Sequence, residues 1–385
     1  MPGASFKYGM PLLCAAWPPG DALCIGGGGG ATSSGITNRL VFAEFKDGDL
    51  SDQQDELKFD KDKLPLRCAL HPTTNNLLVA LGHGGMKLIK WEFESDKREA
   101  SKKQVQDVDA FSQLEEVSCM AFSKDGKLLC AGFERGSFVV WEWPEMKQRA
   151  RCREDAEDFS SLKDIDIYCD GDACTLATTT ENGRCEIWDV GSKKLGTWLD
   201  KLKAGLKAPR FGHCKFSSPG LGPRVLYTTA NSGLGAHICA WRVSSCQDAV
   251  MVRKAKIFSE PCSAFSISDN GSMLAAGCSN GTVAVYASAS LLPLRLVPNA
   301  HMIFVTGITF KQPSREAGHK TDDCGVLSIS ADASARVTLV KPMNDVLLRL
   351  SIYWPFALLL ILMLVYVAYQ LSRQQPLLPE DKQEL

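Results

Sequence analysis

Charge bias is missing from this sequence. Its 385 residues carry 43 basic and 44 acidic side chains, a formal net charge of −1, so the balance does not point to nucleic acid. Histidine is scarce: His71, His83, His213, His237, His301 and His319 each stand alone. There is no H-E-x-x-H, no G-x-S-x-G and no kinase signature, and the carboxylates form no paired motif. Covalent catalysis is therefore not expected. His71 and His83 fall in turn segments, where a structural hydrogen bond is the expected role. C-x-x-C pairs are also lacking, although fifteen cysteines are scattered between Cys14 and Cys324. Without ligand spacing neither a zinc site nor a disulfide framework is expected, and the thiols read as free and buried in a reducing compartment. The opening residues MPGASFKYGMPLLCAAW have no long apolar stretch and no small-residue cleavage site, so no secretory signal is expected.

One long apolar run is present. From Ile352 to Tyr369 the chain reads IYWPFALLLILMLVYVAY, without a charge. As a helix it would extend about 27 Å, which suits a thin bilayer such as that of the endoplasmic reticulum. Its Leu, Ile, Val and Phe residues favour insertion by roughly 3–6 kcal/mol. Tyr353, Trp354, Tyr366 and Tyr369 sit near its ends, where amphipathic rings prefer the headgroup layer, and Pro355 would lie in the first turn. Lys341 and Arg349 before the run, against Arg373 after it, place the N-terminal part in the cytosol. The tail would then be luminal. It ends Lys382-Gln383-Glu384-Leu385, one residue from the K-D-E-L retrieval signal.

Before this run a pattern recurs. Examples are Cys68–Phe93, Cys119–Trp143, Ile167–Val190 and Phe265–Ser288, with weaker copies at Leu12–Phe45, Phe216–Val243 and Ile308–Val340. Each has three short apolar strands separated by turns rich in Asp, Asn and Gly. Equivalent strand ends fall at Ala43, Trp91, Trp141, Trp188, Trp241, Tyr286 and Val340, close to the period of WD-repeat blades. Asp189 after Trp188 is the single literal W-D pair, so the repeat is degenerate. Seven units imply an all-β, seven-bladed propeller over residues 1–342, closed by a segment around Phe6–Tyr8. A juxtamembrane linker over 343–351, a transmembrane helix over 352–369 and a luminal tail over 370–385 would follow. The polar stretches Lys46–Lys63, Ser95–Gln113 and Glu145–Ser161 read as exposed loops.

One turn is unusual. Between two strands of the first unit lie Gly26, Gly27, Gly28, Gly29, Gly30, Ala31, Thr32, Ser33, Ser34, Gly35, Ile36, Thr37 and Asn38, far more than the two to five residues of an ordinary hairpin turn. The glycines allow tight folding back. Ile36 becomes an apolar side chain near a loop tip, and Asn38 is suited to bonding loop backbone. A phosphate loop is excluded, because no G-K-[ST] follows and the next element is a strand. A flexible spacer and a partner-binding loop anchored by Ile36 both remain open on composition.

PLLCAAWPP followed by GGGGG…GITNRLVF, on a propeller with a C-terminal apolar run, resembles the Sec-twelve exchange factors of the endoplasmic reticulum. That resemblance covers almost the whole chain. It implies a non-covalent guanine-nucleotide exchange factor for a Sar-type small GTPase, starting COPII coat assembly. It further implies that Gly26–Gly29, Ile36, Thr37 and Asn38 meet the GTPase, with Ile36 as a wedge flanked by Gly35 and Asn38. The family's loop holds a potassium ion through backbone, which here maps onto Gly30, Thr32, Ser33, Ser34 and Gly35. Where many relatives carry Lys-Thr before Gly-Ile, this chain has Ser33-Ser34. A plant branch, the phosphate transporter traffic facilitators, shares the likeness and implies the alternative: help for a cargo transporter leaving the endoplasmic reticulum, without exchange.

Overall fold

A computed structural model describes residues 4–31, 34–53, 55–74, 76–93, 100–107, 111, 114–153, 160–199, 206, 208–218, 223–313, 324–341 and 345–374. Backbone contacts divide the chain into two units, 1–341 and 342–385.

The first unit is a seven-bladed β-propeller of seven separate antiparallel sheets. Strands are short and rich in Val, Ile, Leu, Cys and aromatic residues, and Gly- or Asp-containing turns reverse the chain between them. Blade one is built from Leu12–Ala16, Ala22–Gly27 and Arg39–Lys46, innermost first. Blades two to six occupy 65–107, 117–152, 162–198, 210–258 and 262–297. Blade seven takes three strands from the end of the unit, Val305–Phe310, Cys324–Ser330 and Ser334–Val340, and its outer strand, Ser5–Lys7, from the beginning. The register pairs Ser5 with Arg336 and Lys7 with Ser334. The expected closure by the N-terminal segment is thus observed.

The core lies between blades. A cluster containing Tyr8, Leu12, Trp17, Leu327 and Val337 joins blade seven to blade one, and comparable clusters fill each of the other interfaces. A single sheet could not bury both of its faces; the closed ring does so for all seven.

Several expectations are corrected. Lys46–Lys63 contains Asp49–Leu50 and Asp55–Lys58, which pair with the third strand of blade one. Ser95–Gln113 contains Ala100–Asp107, and Glu145–Ser161 contains Lys147–Cys152. These are outer strands, not loops. An outer strand sits at the rim with an unpaired edge, so its composition is polar and it escapes a hydrophobic pattern. Matching the ladders from Leu129–Trp141 onward puts the blade-two equivalent of Trp141 at Ile89, not Trp91, and the blade-seven equivalent at Thr338, not Val340. A neighbouring apolar residue on the same strand face misled the spacing. Cys169 and Cys174 form a disulfide across a tight hairpin, their Cα atoms 4.2 Å apart. The hairpin register places them directly opposite each other, which scattered spacing could not reveal. The thirteen other cysteines are in no disulfide and are at least partly buried.

The second unit contains the helix Asp345–Gln374. It takes in residues 345–351, expected as a linker, because Val346, Leu347, Leu348 and Leu350 continue the helical run. Pro355 consequently lies inside the helix, beyond the first turn where its missing N–H would cost nothing. Among the described residues no helix is long and apolar enough to cross a membrane. Lys382–Leu385 lie outside the described residues.

Candidate functional site

In a propeller the turns between second and third strands, and the connections between blades, share one face. The glycine loop is the second-to-third-strand turn of blade one. Gly26 and Gly27 are not in it: they pair with Leu40 and Arg39 as the end of the second strand. The loop is therefore residues 28–38. Both strand glycines are required by packing. A Cβ at Gly26 would lie 2.6 Å from Cys14 Sγ, and one at Gly27 would lie 1.9 Å from the Pro11 carbonyl oxygen.

The loop folds back on itself. The Gly28 N–H donates to Pro11 O at 3.1 Å and the Gly29 N–H to Ile36 O at 3.3 Å. A side chain at Gly29 would meet Ser34 Oγ at 1.9 Å, so glycine there permits the close approach. Ser34 Oγ accepts the Ile36 N–H at 3.3 Å, and Gly35 takes a φ of +73° just before the tip. Ile36 is 38 % exposed, and Ser34, Gly35 and Thr37 are exposed beside it. Thr32 and Ser33 lie outside the described residues.

Asn38 is 2 % exposed and holds this arrangement. Its Oδ1 accepts the Gly30 N–H at 2.9 Å, as expected of an asparagine bonding loop backbone. Its Nδ2 also donates to Asp60 O at 3.1 Å and Lys61 O at 2.9 Å, while its own carbonyl accepts the Phe59 N–H at 2.8 Å. The loop is thereby tied to the connection between blades one and two. Next along, Arg39 donates to Tyr8 O at 3.1 Å and pairs with Glu56 at 3.0 Å. Lys58, 2.8 Å away, and Arg39 hold the Glu56 carboxyl below the usual carboxylate range.

The titratable groups elsewhere are structural. His71 Nδ1 accepts the Thr73 and Thr74 N–H groups at 3.1 Å, which leaves Nε2 to donate to Gly126 O at 2.9 Å. His83 is held through its backbone, its N–H donating to Glu116. One cluster escaped sequence reasoning. Asp164 and Asp166 on the inner strand of blade four meet His213 and Lys215 on that of blade five. Lys215 Nζ lies 2.7 Å from Asp164 Oδ1, His213 Nδ1 lies 3.6 Å from Asp164 Oδ2, and Asp166 accepts the Phe216 N–H at 2.6 Å. Burial pushes the Asp164 carboxyl up, but Lys215 and His213 outweigh it and bring it down to about 2. Burial leaves Asp166 raised. The D-x-D and H-x-K alternations were the available signal, since period two puts each pair on one strand face. With every carboxylate bonded, the cluster ties two blades together. No group of three or more metal-binding side chains occurs among the described residues.

A family model for the WD domain, G-beta repeat, matches residues 106–142, the whole of blade three's first three strands. The chain is 28% identical over 319 residues to SEC12-like protein 2 of Arabidopsis thaliana, covering 81% of this chain and 74% of that protein. It is 26% identical over 248 residues to the guanine nucleotide-exchange factor SEC12 of Mus musculus, and 24% identical to that of Rattus norvegicus. The chain is thus similar in sequence to SEC12 and SEC12-like proteins. The rodent alignments cover 60% of this chain and 56% of each rodent protein, little more than half their length. The similarity to the plant protein extends over most of this chain.

Proposed function

We propose that this chain is a non-covalent guanine-nucleotide exchange factor for a Sar-type small GTPase, starting COPII coat assembly at the endoplasmic reticulum membrane. The observation that carries it is Ile36: an apolar side chain, partly open to water, on a loop pinned by a buried asparagine. A loop already ordered presents its anchor at a small entropic cost. Ile36 enters an apolar pocket that opens when the GTPase switch segments move. Backbone of Gly28, Gly29, Gly35 and Thr37 then occupies space those segments need to hold nucleotide and Mg²⁺. Exchange follows because the loop binds the nucleotide-free state more tightly than the nucleotide-bound one; equal affinity would shift nothing. No side chain acts as acid or base.

A potassium ion fits the loop. The carbonyls of Gly30, Ser34 and Gly35 accept no hydrogen bond among the described residues, and backbone carbonyls are the donors that replace a potassium ion's hydration shell. Bound there, the ion would stiffen the loop.

On its sequence, the apolar run 352–369 would hold the chain to a membrane, with the propeller cytosolic and the tail luminal, although no described helix is long and apolar enough to cross one. Its described side chains, Trp354, Phe356 and Leu359 among them, are exposed, and an apolar surface of that extent calls for an apolar environment.

The test is release of labelled GDP from a Sar-type GTPase by the full chain in detergent micelles, in potassium and in sodium. Strong acceleration, larger in potassium and abolished by Ile36→Asp, is expected. Equal rates for wild type and Ile36→Asp would refute the wedge. A second reading is favoured by the longer alignment with the plant SEC12-like protein and by Ser33-Ser34: a traffic facilitator for a transporter, without exchange. It predicts co-purification of a polytopic membrane protein and no acceleration.

A further inference from the structure

The face that carries the glycine loop carries a second apolar feature. Between blades six and seven the chain runs His301-Met302-Ile303-Phe304, and the last three are 78 %, 41 % and 46 % exposed. This is a rigid strap. The Met302 N–H donates to Asp332 Oδ2 at 2.6 Å, and the Phe304 carbonyl accepts from Ser330 Oγ at 2.8 Å. At its root His301 is buried, its two ring nitrogens bonded to Ser334 Oγ at 2.6 Å and Ser328 Oγ at 2.8 Å. Three adjacent apolar side chains, each partly open to water on a hydrogen-bonded backbone, present a ready contact surface.

The strap and the base of the glycine loop both border the segment Lys7–Tyr8. The N-terminal strand lies between them. On one side Lys7 Nζ is 3.9 Å from Met302 Sδ; on the other, Arg39 at the base of the loop donates to Tyr8 O at 3.1 Å. Beside the strap is a recess of about 390 Å³, lined by Phe6, Lys7, His301, Met302, Asp332 and Ser334 among others. It can take a partner side chain.

Interface size decides the occupant. A specific protein contact buries roughly 800 Å² on each partner. Residues 28–38, with Ile36 as their one large apolar side chain, offer far less than that. A protein bound at this loop must rest on neighbouring surface too, and across Lys7 and Tyr8 on the same face the strap offers exposed apolar side chains. The last strand of blade seven, Ser334–Val340, runs away from this face and ends at the opposite one. We propose that Met302, Ile303 and Phe304 form a second apolar anchor for the GTPase, an inference that rests on the glycine loop being its contact. The strap sets affinity, while Ile36 sets the exchange rate.

The experiment uses full-length wild type, Met302→Glu and Ile36→Asp, with folding checked by circular dichroism. Binding to nucleotide-free Sar-type GTPase and GDP release against exchange-factor concentration are both measured. Met302→Glu is expected to weaken binding about tenfold or more, the effect of a single interface anchor. The release curve should shift to higher concentration by the same factor and keep its plateau, whereas Ile36→Asp lowers the plateau. Unchanged binding by Met302→Glu, with wild type active, overturns the strap and leaves the function standing. Binding without exchange in wild type, weakened by Met302→Glu, sinks the exchange function and supports the strap. Wild type that neither binds nor exchanges overturns both. If Met302→Glu instead abolishes wild-type self-association or liposome flotation with GTPase binding intact, a second copy or a lipid surface is the occupant, and the proposal fails.

Discussion

Asn38 offers the sharpest test of how the loop is built. Asn38→Ala removes one acceptor and two donor contacts at a position that is 2 % exposed. At about 0.5–1.5 kcal/mol net for each hydrogen bond, the loss is roughly 1.5–4.5 kcal/mol. The three partners are backbone groups of Gly30, Asp60 and Lys61, so the cost falls on two loops and not on the blade interfaces. Local opening should change while global unfolding moves little. Since about 1.4 kcal/mol is a factor of ten, amide exchange of peptides covering 28–38 and 59–64 should speed up by roughly ten- to a thousand-fold. Hydrogen–deuterium exchange by mass spectrometry reads this directly, with blade four as an internal reference. Ile36→Ala is the control, because Ile36 lies at an exposed tip and its truncation should leave protection unaltered. If Asn38→Ala protects residues 28–38 as well as wild type does, the asparagine clamp does not order the loop, and the pre-ordered wedge loses its physical basis.

Two predictions concern buried charge. Lys215→Met strips Asp164 of its ammonium partner and should destabilise the propeller by about 3–5 kcal/mol in urea unfolding, with Asp164→Asn in the same chain restoring part of the loss. His301 should make stability depend on pH. Burial, assisted by Arg336 against the opposing pull of Asp332, lowers its imidazole from 6.5 to about 4. The unfolded chain therefore binds the proton first, and stability present above pH 6.5 is lost as pH falls towards 4, by up to roughly 3 kcal/mol. His301→Asn should flatten that part of the urea-midpoint profile; an unchanged slope would mean other groups carry it.

The inner three strands of each blade were legible because they are buried on both faces and read as short apolar runs between turns. Ring closure by Phe6 followed from counting units that must stack. The fourth strands were not legible, since Asp55–Lys58, Ala100–Asp107 and Lys147–Cys152 lie at the rim and the polar composition of these stretches is that of a loop. Trp91 and Val340 were read two residues away from Ile89 and Thr338, because ladder register depends on a partner strand that periodicity does not contain.

The loop divides in the same way. The glycine run, Ile36 and Asn38 stand out in one dimension, because excess length, missing side chains and an isolated apolar tip are local properties. The sequence also shows no H-E-x-x-H, G-x-S-x-G or kinase signature, a property of local spacing alone. Other features exist only when blades meet: the Asn38 bridge to Asp60 and Lys61, the Asp164–Lys215 pair, and the seating of Met302 beside Lys7. Each joins residues some twenty to three hundred positions apart. Hydrogen bonding and apolar contact act over a few ångströms, so such partners are chosen by the closed ring and not by neighbours in the chain.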